Sequence, residues 1–189
     1  MNARHLGLMG LALLAGATDL LVKGMGLALL GLPLLTLFGL VLPLLDRHLV
    51  GHAHGLGTLL LCALLVSLGS LLLQATAFEL HRALGPYTYL LVLPCLQLAQ
   101  RERPDAFEGL RAGLAFAVLA LLLGALREAL GHGSLLAHSD WLLGPTALDW
   151  RVQFSADGIP LFALAPGAFI LIGTLLALWR HLTNRTADS

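Results

Sequence analysis

Residues 87–103, YTYLLVLPCLQLAQRER, place a thiol beside a proline inside an apolar stretch. Proline removes a backbone donor and obstructs the preceding turn, so Pro94 predicts a kink or break in a helix at Leu93. In lipid, backbone groups freed in this way are tolerated only where protein or a cavity covers them. Cys95 is therefore a candidate site residue. The alternative is that Pro94 merely kinks the helix and Cys95 is a small buried hydrophobic residue.

Three histidines, His48, His52 and His54, lie in the segment DRHLVGHAHG between two apolar stretches. Imidazole is a common ligand of borderline metals, and two histidines four residues apart can share one face of a helix. The segment lacks an obvious set of further ligands. A solvated loop is therefore favoured over a metal site.

Two further groups have simple structural interpretations. Asp19 and Lys23 stand four residues apart, in the order that favours a helical ion pair. Acidic residues inside a membrane are costly and often functional, but Asp19 lies near the predicted end of its apolar stretch, where pairing with Lys23 accounts for it. Cys62, in LLLCALLVSLG, has an ordinary helical context with small residues nearby and is predicted to be a core residue.

Arg127 and Glu128 follow the fifth apolar stretch. Gly131 and Gly133 come next, and glycine at this position is typical of a helix end. We therefore interpret this arginine and glutamate as capping and pairing groups where a helix leaves the membrane.

The composition requires a membrane environment. Of the 189 residues, 58% are hydrophobic and 12% are charged, and the mean hydropathy is +0.85. A soluble domain of this size could not bury so much leucine, so the lipid bilayer is the expected surrounding. The formal net charge of zero gives no indication of a nucleic-acid partner. The two cysteines both lie in apolar stretches, which does not suggest a disulfide framework.

Six apolar stretches are candidate transmembrane helices, since a span needs about 20 mainly apolar residues. They are predicted at 6–22, 25–45, 55–78, 85–99, 110–126 and 160–178, so that residues 1–189 form one polytopic all-α membrane domain. With the N-terminus inside, seven of the 11 basic residues fall on the inner side and four on the outer side. This asymmetry predicts that both termini are cytoplasmic.

The six predicted spans divide into two groups of three, and an odd number per group inverts the second group relative to the first. Each group opens with a short or interrupted stretch, around Met9 and Gly10 in the first half and around Pro94 and Cys95 in the second. Paired weak segments in corresponding positions point to a site at the membrane midplane. The layout predicts a 3+3 inverted repeat with a broken half-helix at the start of each half.

Two blocks in the second half carry a family resemblance: GALREALGHGSLL at 124–136 and APGAFI at 165–170. They resemble the E-type subunit of the Rnf ion-translocating electron-transport complexes, which is related to the D-type subunit of the sodium-translocating NADH:quinone reductase. The number of spans, the long loop before the last span and the opening Leu6-Gly7-Leu8 also fit, so the resemblance covers the whole chain. It is specific in the second half and weaker in the first.

The resemblance implies a multi-pass subunit of the bacterial inner membrane. Such a subunit pairs with a homologous, oppositely oriented A-type subunit and with the other subunits of an Rnf complex. The whole complex is a translocase that couples electron transfer to cation movement, and this subunit is not catalytic alone.

The resemblance further implies that each of the two paired subunits presents two cysteines, one on each of its broken helices. The four thiolates hold a [2Fe-2S] cluster inside the membrane. The second-half position corresponds to Cys95, the expected metal ligand of this chain. The first-half position falls on Met9, in LGLMG where the family has Leu-Gly-Leu-Cys-Pro. Methionine is a neutral thioether, so this chain is expected to supply one thiolate and to line the facing half-helix with Met9.

Two alternatives remain open. One is a small inverted-repeat ion transporter in which Asp19, the broken helices and the three histidines handle an ion. The other is a structural subunit or paralogue that stabilises a partner by helix packing and carries no cofactor.

Overall fold

The computed structural model describes residues 13–49, 52–101, 105–144, 152–154 and 158–187, and most of them are helical. Residues 13–17 are helical and are followed by two long helices, α1 (Leu21–His48) and α2 (His52–Thr76). The chain continues with α3 (Phe78–Leu84), a 3₁₀ helix (Gly85–Leu91), α4 (Val92–Ala99) and the long α5 (Ala106–His132). The remaining elements are β1 (Ser134–Leu135), α6 (Asp140–Leu143), β2 (Val152–Gln153), α7 (Pro160–Ala163) and α8 (Ala165–Ala187).

Three helices among the described residues are long and apolar enough to cross a bilayer: α1, α2 from Ala53 onward, and α5. Residues 165–177 of α8 form a shorter apolar helix. Many leucines on these helices are exposed, as expected of side chains that face lipid. The two strands form only a two-residue antiparallel ladder, in which Ser134 faces Gln153. The predicted all-α membrane fold is confirmed, whereas six spans and an inverted repeat stay predictions.

Helices α1 and α5 form the most extensive contact in the molecule. Glycines bring the two backbones together: a Cβ atom added to Gly24 would lie 2.6 Å from the carbonyl oxygen of Ala120, and one added to Gly109 would lie 2.5 Å from that of Leu35. Small residues at a helix interface are the usual way to gain close van der Waals packing in a membrane, where no hydrophobic effect drives helices together. These two helices, each predicted as the second span of its half, therefore form the centre of the fold.

The break in the second half lies at Gly85. This residue ends α3 with φ 50° and ψ −127°, a backbone conformation that only glycine adopts without strain. The 3₁₀ helix and α4 follow. The predicted break at Leu93 is wrong in position, because Pro94 falls in the first turn of α4, where no intrahelical partner for its missing N–H is required.

The first half is interrupted at residues 18–20, between the helical residues 13–17 and α1. The Thr18 hydroxyl donates to the Leu14 carbonyl oxygen at 2.6 Å, and Leu20 is extended (φ −123°, ψ 147°), so the chain starts a new helix at Leu21. The sequence instead placed the boundary at 22–25, inside α1. Residues 6–12 of the first predicted span lie outside the described residues.

The predicted fifth and sixth spans also differ from the structure in detail. Helix α5 continues past 126 to His132 and ends at Gly133, which has φ 62°. Gly131, also predicted as part of the stop, lies within α5, and a Cβ there would lie 2.7 Å from the Ala163 backbone nitrogen. The sixth stretch is interrupted at Leu164, whose extended backbone (φ −83°, ψ 161°) separates α7 from α8.

Candidate functional site

Cys95 lies in α4, in the re-entering part of the chain that follows the break at Gly85. Its side chain is fully buried, with 0% of the residue exposed, and it belongs to the main hydrophobic core. Helix α4 contacts α1, α2 and α5, so the thiol is enclosed by the central helices. The structure therefore places Cys95, which the resemblance predicts to be a metal ligand, in the interior of the protein, next to Pro94 in the first turn of α4.

Cys62 lies in α2, near Cys95. Only a narrow stripe of α2 is buried, and it includes Thr58, Cys62, Val66 and Ser70, which are spaced four residues apart. This spacing keeps them on one helix face. Both cysteines are free, and each side chain is close enough to the other to affect it. The predicted burial of Cys62 is confirmed, whereas the sequence does not predict that it lies near Cys95.

The thiols of Cys95 and Cys62 are of the donor type that an iron–sulfur cluster requires. Thiolates are soft donors, and four of them hold a [2Fe-2S] cluster. Within the described part of the chain, no group of three or more His, Cys, Asp or Glu residues could hold a metal. The described residues thus hold two thiols, Cys62 and Cys95, whereas such a cluster needs four.

Two other groups from the sequence remain, Met9 and the three histidines. Met9 lies outside the described residues. Of the three histidines, His48 bonds with the carbonyl oxygen of Leu44 in its own helix at 2.9 Å, and His54 contacts the Asp46 carboxylate at 2.5 Å. Both imidazole rings thus already have a hydrogen-bond partner within the protein, His48 at the end of α1 and His54 at the start of α2.

Asp19 and Lys23 form the predicted ion pair, with 2.9 Å between the Lys23 Nζ and the Asp19 carboxylate. The pair spans the break at residues 18–20 and the first turn of α1. The second oxygen of Asp19 is buried and has no hydrogen-bond partner among the residues that the structure describes. Asp19 also lies close enough to Arg127 to interact with its charge.

Arg127 donates hydrogen bonds to backbone carbonyls near two helix breaks. It is only 2% exposed, although the sequence suggested a residue at a helix exit. Its guanidinium donates to the carbonyl oxygens of Ala15 and Ala163, both at 2.7 Å, and to that of Phe162 at 3.2 Å. Ala15 belongs to the first helical segment, whereas the other two lie in α7, before the break at Leu164. Carbonyl groups near helix breaks need partners in a membrane interior, and Arg127 provides them.

Glu128 provides hydrogen-bond acceptors for backbone amides near the same break. It is fully buried, and its two carboxylate oxygens accept from the N–H of Leu21 at 2.7 Å and from the N–H of Ala137 at 2.6 Å. Leu21 is the first residue of α1, so its N–H has no partner within that helix. Adjacent residues of α5 thus satisfy carbonyls and amides on both sides of the break at 18–20. We call Arg127 and Glu128 the Arg–Glu clasp.

Both blocks that carried the family resemblance come together at this clasp. Block 124–136 contains it, and block 165–170 begins α8, directly after the short helix whose carbonyls Arg127 binds. Gly131 and Gly158 allow the intervening loop to cross α5, since a Cβ on Gly158 would lie 2.2 Å from the Gly131 carbonyl oxygen. Sequence reasoning missed this role. The signal that could have revealed it was an arginine and a glutamate, followed by glycines, in an otherwise apolar stretch.

A cavity of about 200 Å³ lies where the first helical segment approaches α4. Leu14 of that segment and Pro94 of α4 both line it, and Gln97 and Arg101 provide polar groups at the end of α4. Arg101 also forms an ion pair with Glu108. The interrupted segments of the two halves therefore meet around a small space beside the residue that precedes Cys95.

Comparison with known proteins gives one consistent family. Residues 1–176 match the family model described as Rnf-Nqr subunit, membrane protein. A relative from Pseudomonas aeruginosa (strain LESB58), named as the E subunit of an ion-translocating oxidoreductase complex, is 36% identical over 96% of this chain and 80% of the relative. Relatives of the same name from Shewanella oneidensis and Rhodobacter capsulatus are 33% and 30% identical, over 90% and 89% of this chain and 78% and 73% of the relatives.

Proposed function

This chain belongs to the Rnf-Nqr family of membrane subunits, and we propose that it serves as the E-type subunit of an ion-translocating electron-transport complex. It would work in the bacterial inner membrane, with both termini in the cytoplasm, paired with a homologous A-type subunit. The relatives named as the E subunit of such complexes support this assignment over most of both chains.

The observation that carries the proposal is the position of Cys95. It matches the second-half cysteine of the family, and it is fully buried in the part of the chain that follows the Gly85 break. A thiol in this place suits a redox centre shielded from water. When bound, a [2Fe-2S] cluster would supply one-electron transfer within the membrane. Cys95 would hold it from this chain, together with ligands from the A-type subunit.

The other described residues of the site have positioning roles. Arg127 and Glu128 fix the interrupted backbone of the first helical segment relative to α5 and α7. The close packing of α1 on α5 holds the two halves at a fixed separation. Together they keep the first half-helix and α4 facing each other across the cavity. In this proposal, the packing of these segments preorganises a site at the membrane midplane.

Co-purification tests the subunit role. The full chain, carrying an affinity tag, is expressed in a host together with the candidate A-type subunit and the remaining subunits of the complex, and is purified from membranes in mild detergent. We expect the A-type subunit at equal stoichiometry with the chain. A chain that is well folded but recovers no A-type subunit under these conditions would contradict the proposal.

One observation favours a second candidate function, the structural subunit without a cofactor. Met9 stands where the family has its first cysteine, so the usual four-thiolate set is incomplete in this chain. The two candidates differ in iron content, since a purely structural subunit would pair with the A-type subunit and hold no iron. The transporter alternative has less support, because Asp19, His48 and His54 each already have a partner within the protein.

A further inference from the structure

The cavity beside α4 is a groove between two helix faces. Its lining residues on α4, and likewise those on α5, recur every three or four positions, which places each set on one side of its helix. They include Pro94, Leu98 and Arg101 of α4, and Ala112, Ala115 and Leu119 of α5. Residues 112–119 extend about 10 Å along the axis of α5, at about 1.5 Å per residue. We call this cavity the α4–α5 groove.

One side of the α4–α5 groove faces the surroundings of the protein. Ala115 and Leu119 are exposed, whereas Pro94 and Leu98 on the opposite wall are buried. Helix α5 is long and apolar enough to cross a bilayer, so these surroundings are lipid. The alanines at 112 and 115 leave room that larger side chains would fill. The groove is thus apolar and open to the hydrocarbon chains of the bilayer.

The groove ends at a pair of opposite charges. Arg101 follows the last turn of α4 and forms an ion pair with Glu108, in the first turn of α5. The Arg101 side chain is 51% exposed and that of Glu108 is 31% exposed, so a polar headgroup can reach both. A guanidinium has five N–H donors and a carboxylate has two acceptor oxygens. Each group therefore keeps the capacity to bind a further partner beside the ion pair.

We propose that the α4–α5 groove binds one phospholipid whose zwitterionic headgroup carries a primary ammonium, as in phosphatidylethanolamine. One acyl chain lies in the apolar groove, the phosphate accepts hydrogen bonds from Arg101, and the ammonium donates to Glu108. The inference requires only that the chain is a membrane protein. It is independent of the proposed role in electron transport.

The charges at this end of the groove favour a zwitterionic lipid over an anionic one. Between residues 101 and 111, the described part of the chain holds two positive residues, Arg101 and Arg111, and two negative ones, Asp105 and Glu108. A negative phosphate next to a positive ammonium matches the ion pair group by group, and hydrogen bonds between charged groups are the strong ones. An anionic headgroup offers Glu108 no positive charge, and a trimethylammonium headgroup offers it no N–H donor.

A bound lipid would also support the segment that carries Cys95. Its acyl chain would pack against Pro94, in the first turn of α4, and against Leu98 one turn further on. Filling an apolar space restores van der Waals contacts that its lining otherwise lacks. Binding of the lipid is therefore expected to raise the thermal stability of the protein.

The test uses the full chain, purified from membranes in mild detergent together with any subunits that accompany it. Native mass spectrometry identifies the lipid retained per chain. After delipidation, phosphatidylethanolamine, phosphatidylglycerol and phosphatidylcholine with identical acyl chains are titrated separately, and thermal stability is followed. The variants are Ala115→Phe, which fills the groove, Arg101→Gln and Glu108→Gln. Val118→Phe and Arg111→Gln are the matched controls, because both residues are exposed on α5 and neither lines the groove.

We expect one retained phosphatidylethanolamine per chain. This lipid should bind about tenfold more tightly than the other two, the difference that one hydrogen bond between charged groups supplies. Ala115→Phe should lose the retained lipid. Arg101→Gln should weaken the binding of all three lipids about tenfold or more, whereas Glu108→Gln should remove only the preference for phosphatidylethanolamine. Both control variants should behave as the wild type does.

Equal lipid retention in Ala115→Phe and Val118→Phe, with both shown to be folded by circular dichroism, would overturn the proposal. Arg101→Gln and Glu108→Gln alter part-exposed side chains, so they still decide the question if Ala115→Phe does not fold. Equal affinity for phosphatidylglycerol and phosphatidylethanolamine would refute the zwitterionic headgroup. If the isolated chain retains the lipid but the assembled complex does not, a partner subunit occupies the groove and the proposal fails.

Discussion

Replacing Arg127 by methionine should be among the most destabilising single changes in the chain. Methionine keeps a long side chain but removes the donors to the carbonyl oxygens of Ala15, Phe162 and Ala163. A hydrogen bond to a charged group contributes about 1.5–3 kcal/mol, and two of these bonds are short, at 2.7 Å. Buried carbonyls without partners add a desolvation cost. We therefore expect a loss of about 3–5 kcal/mol in the free energy of unfolding, from two such bonds together with the carbonyls left without partners.

The assay is SDS-induced unfolding of the purified protein in mixed micelles, followed by circular dichroism. Arg111→Met is the matched control, because Arg111 lies on the same helix but is exposed, and exposed substitutions usually change stability by within about 0.5 kcal/mol. Arg127→Lys should fall between wild type and Arg127→Met, since an ammonium keeps the charge but cannot spread its donors as a guanidinium does. Equal stabilities for Arg127→Met and Arg111→Met would refute the role of Arg127 in holding the breaks.

Three further changes test the same account by the same unfolding assay. Glu128→Gln places an amide N–H₂ against one of two buried N–H donors and should cost about 1–3 kcal/mol, so an unchanged stability would argue against the clasp. Gly24→Ala forces a Cβ against the Ala120 carbonyl oxygen at 2.6 Å and should cost about 1–3 kcal/mol, whereas Gly55→Ala, with nothing within 4 Å, should be neutral or stabilising by up to about 1 kcal/mol. Gly24→Ala should therefore be less stable than Gly55→Ala, and the opposite order would contradict the close packing of α1 on α5. Gly85→Ala should cost about 1–3 kcal/mol through backbone strain alone, because its Cβ has open space, and a neutral result would show that the break does not need glycine there.

The long helices could be predicted from the sequence because their signal is simple. The stretches that became α1, α2 and α5 are each long, apolar and bounded by charged residues, and length with composition suffices to identify them. The class of protein followed directly from this pattern. The ion pair of Asp19 and Lys23 could also be predicted, since it depends only on spacing within one turn of chain.

The positions of the breaks could not be predicted in the same way. Pro94 is the conspicuous helix breaker, but a proline in the first turn of a helix interrupts nothing, and the backbone turns instead at Gly85. The break at Leu164 comes two residues before Pro166, which takes the second position of α8. It persists because Arg127, on another helix, binds the carbonyls that it leaves free. The sequence around a break contains no information about a partner that lies on another helix.

The proximity of the two thiols shows the same limit. The burial of Cys62 followed from its apolar surroundings, but its distance from Cys95 depends on how α2 is rotated about its axis and where α4 packs beside it. Composition does not specify either quantity, because leucine occurs on all faces of both segments. Family resemblance drew attention to Cys95 and Met9, the residues predicted to occupy equivalent positions in the two halves, and so away from Cys62.

Cation uptake driven by an electron donor tests the central claim most directly. Inverted membrane vesicles are prepared from cells that carry the complete complex with the wild-type chain, with Cys95→Ala or with the exposed-residue control Arg111→Met, and cation uptake is followed after addition of the reductant. We expect uptake with the wild-type chain and with Arg111→Met, and its loss with Cys95→Ala although the variant assembles to the same level. Undiminished uptake with Cys95→Ala would contradict a redox role for this subunit.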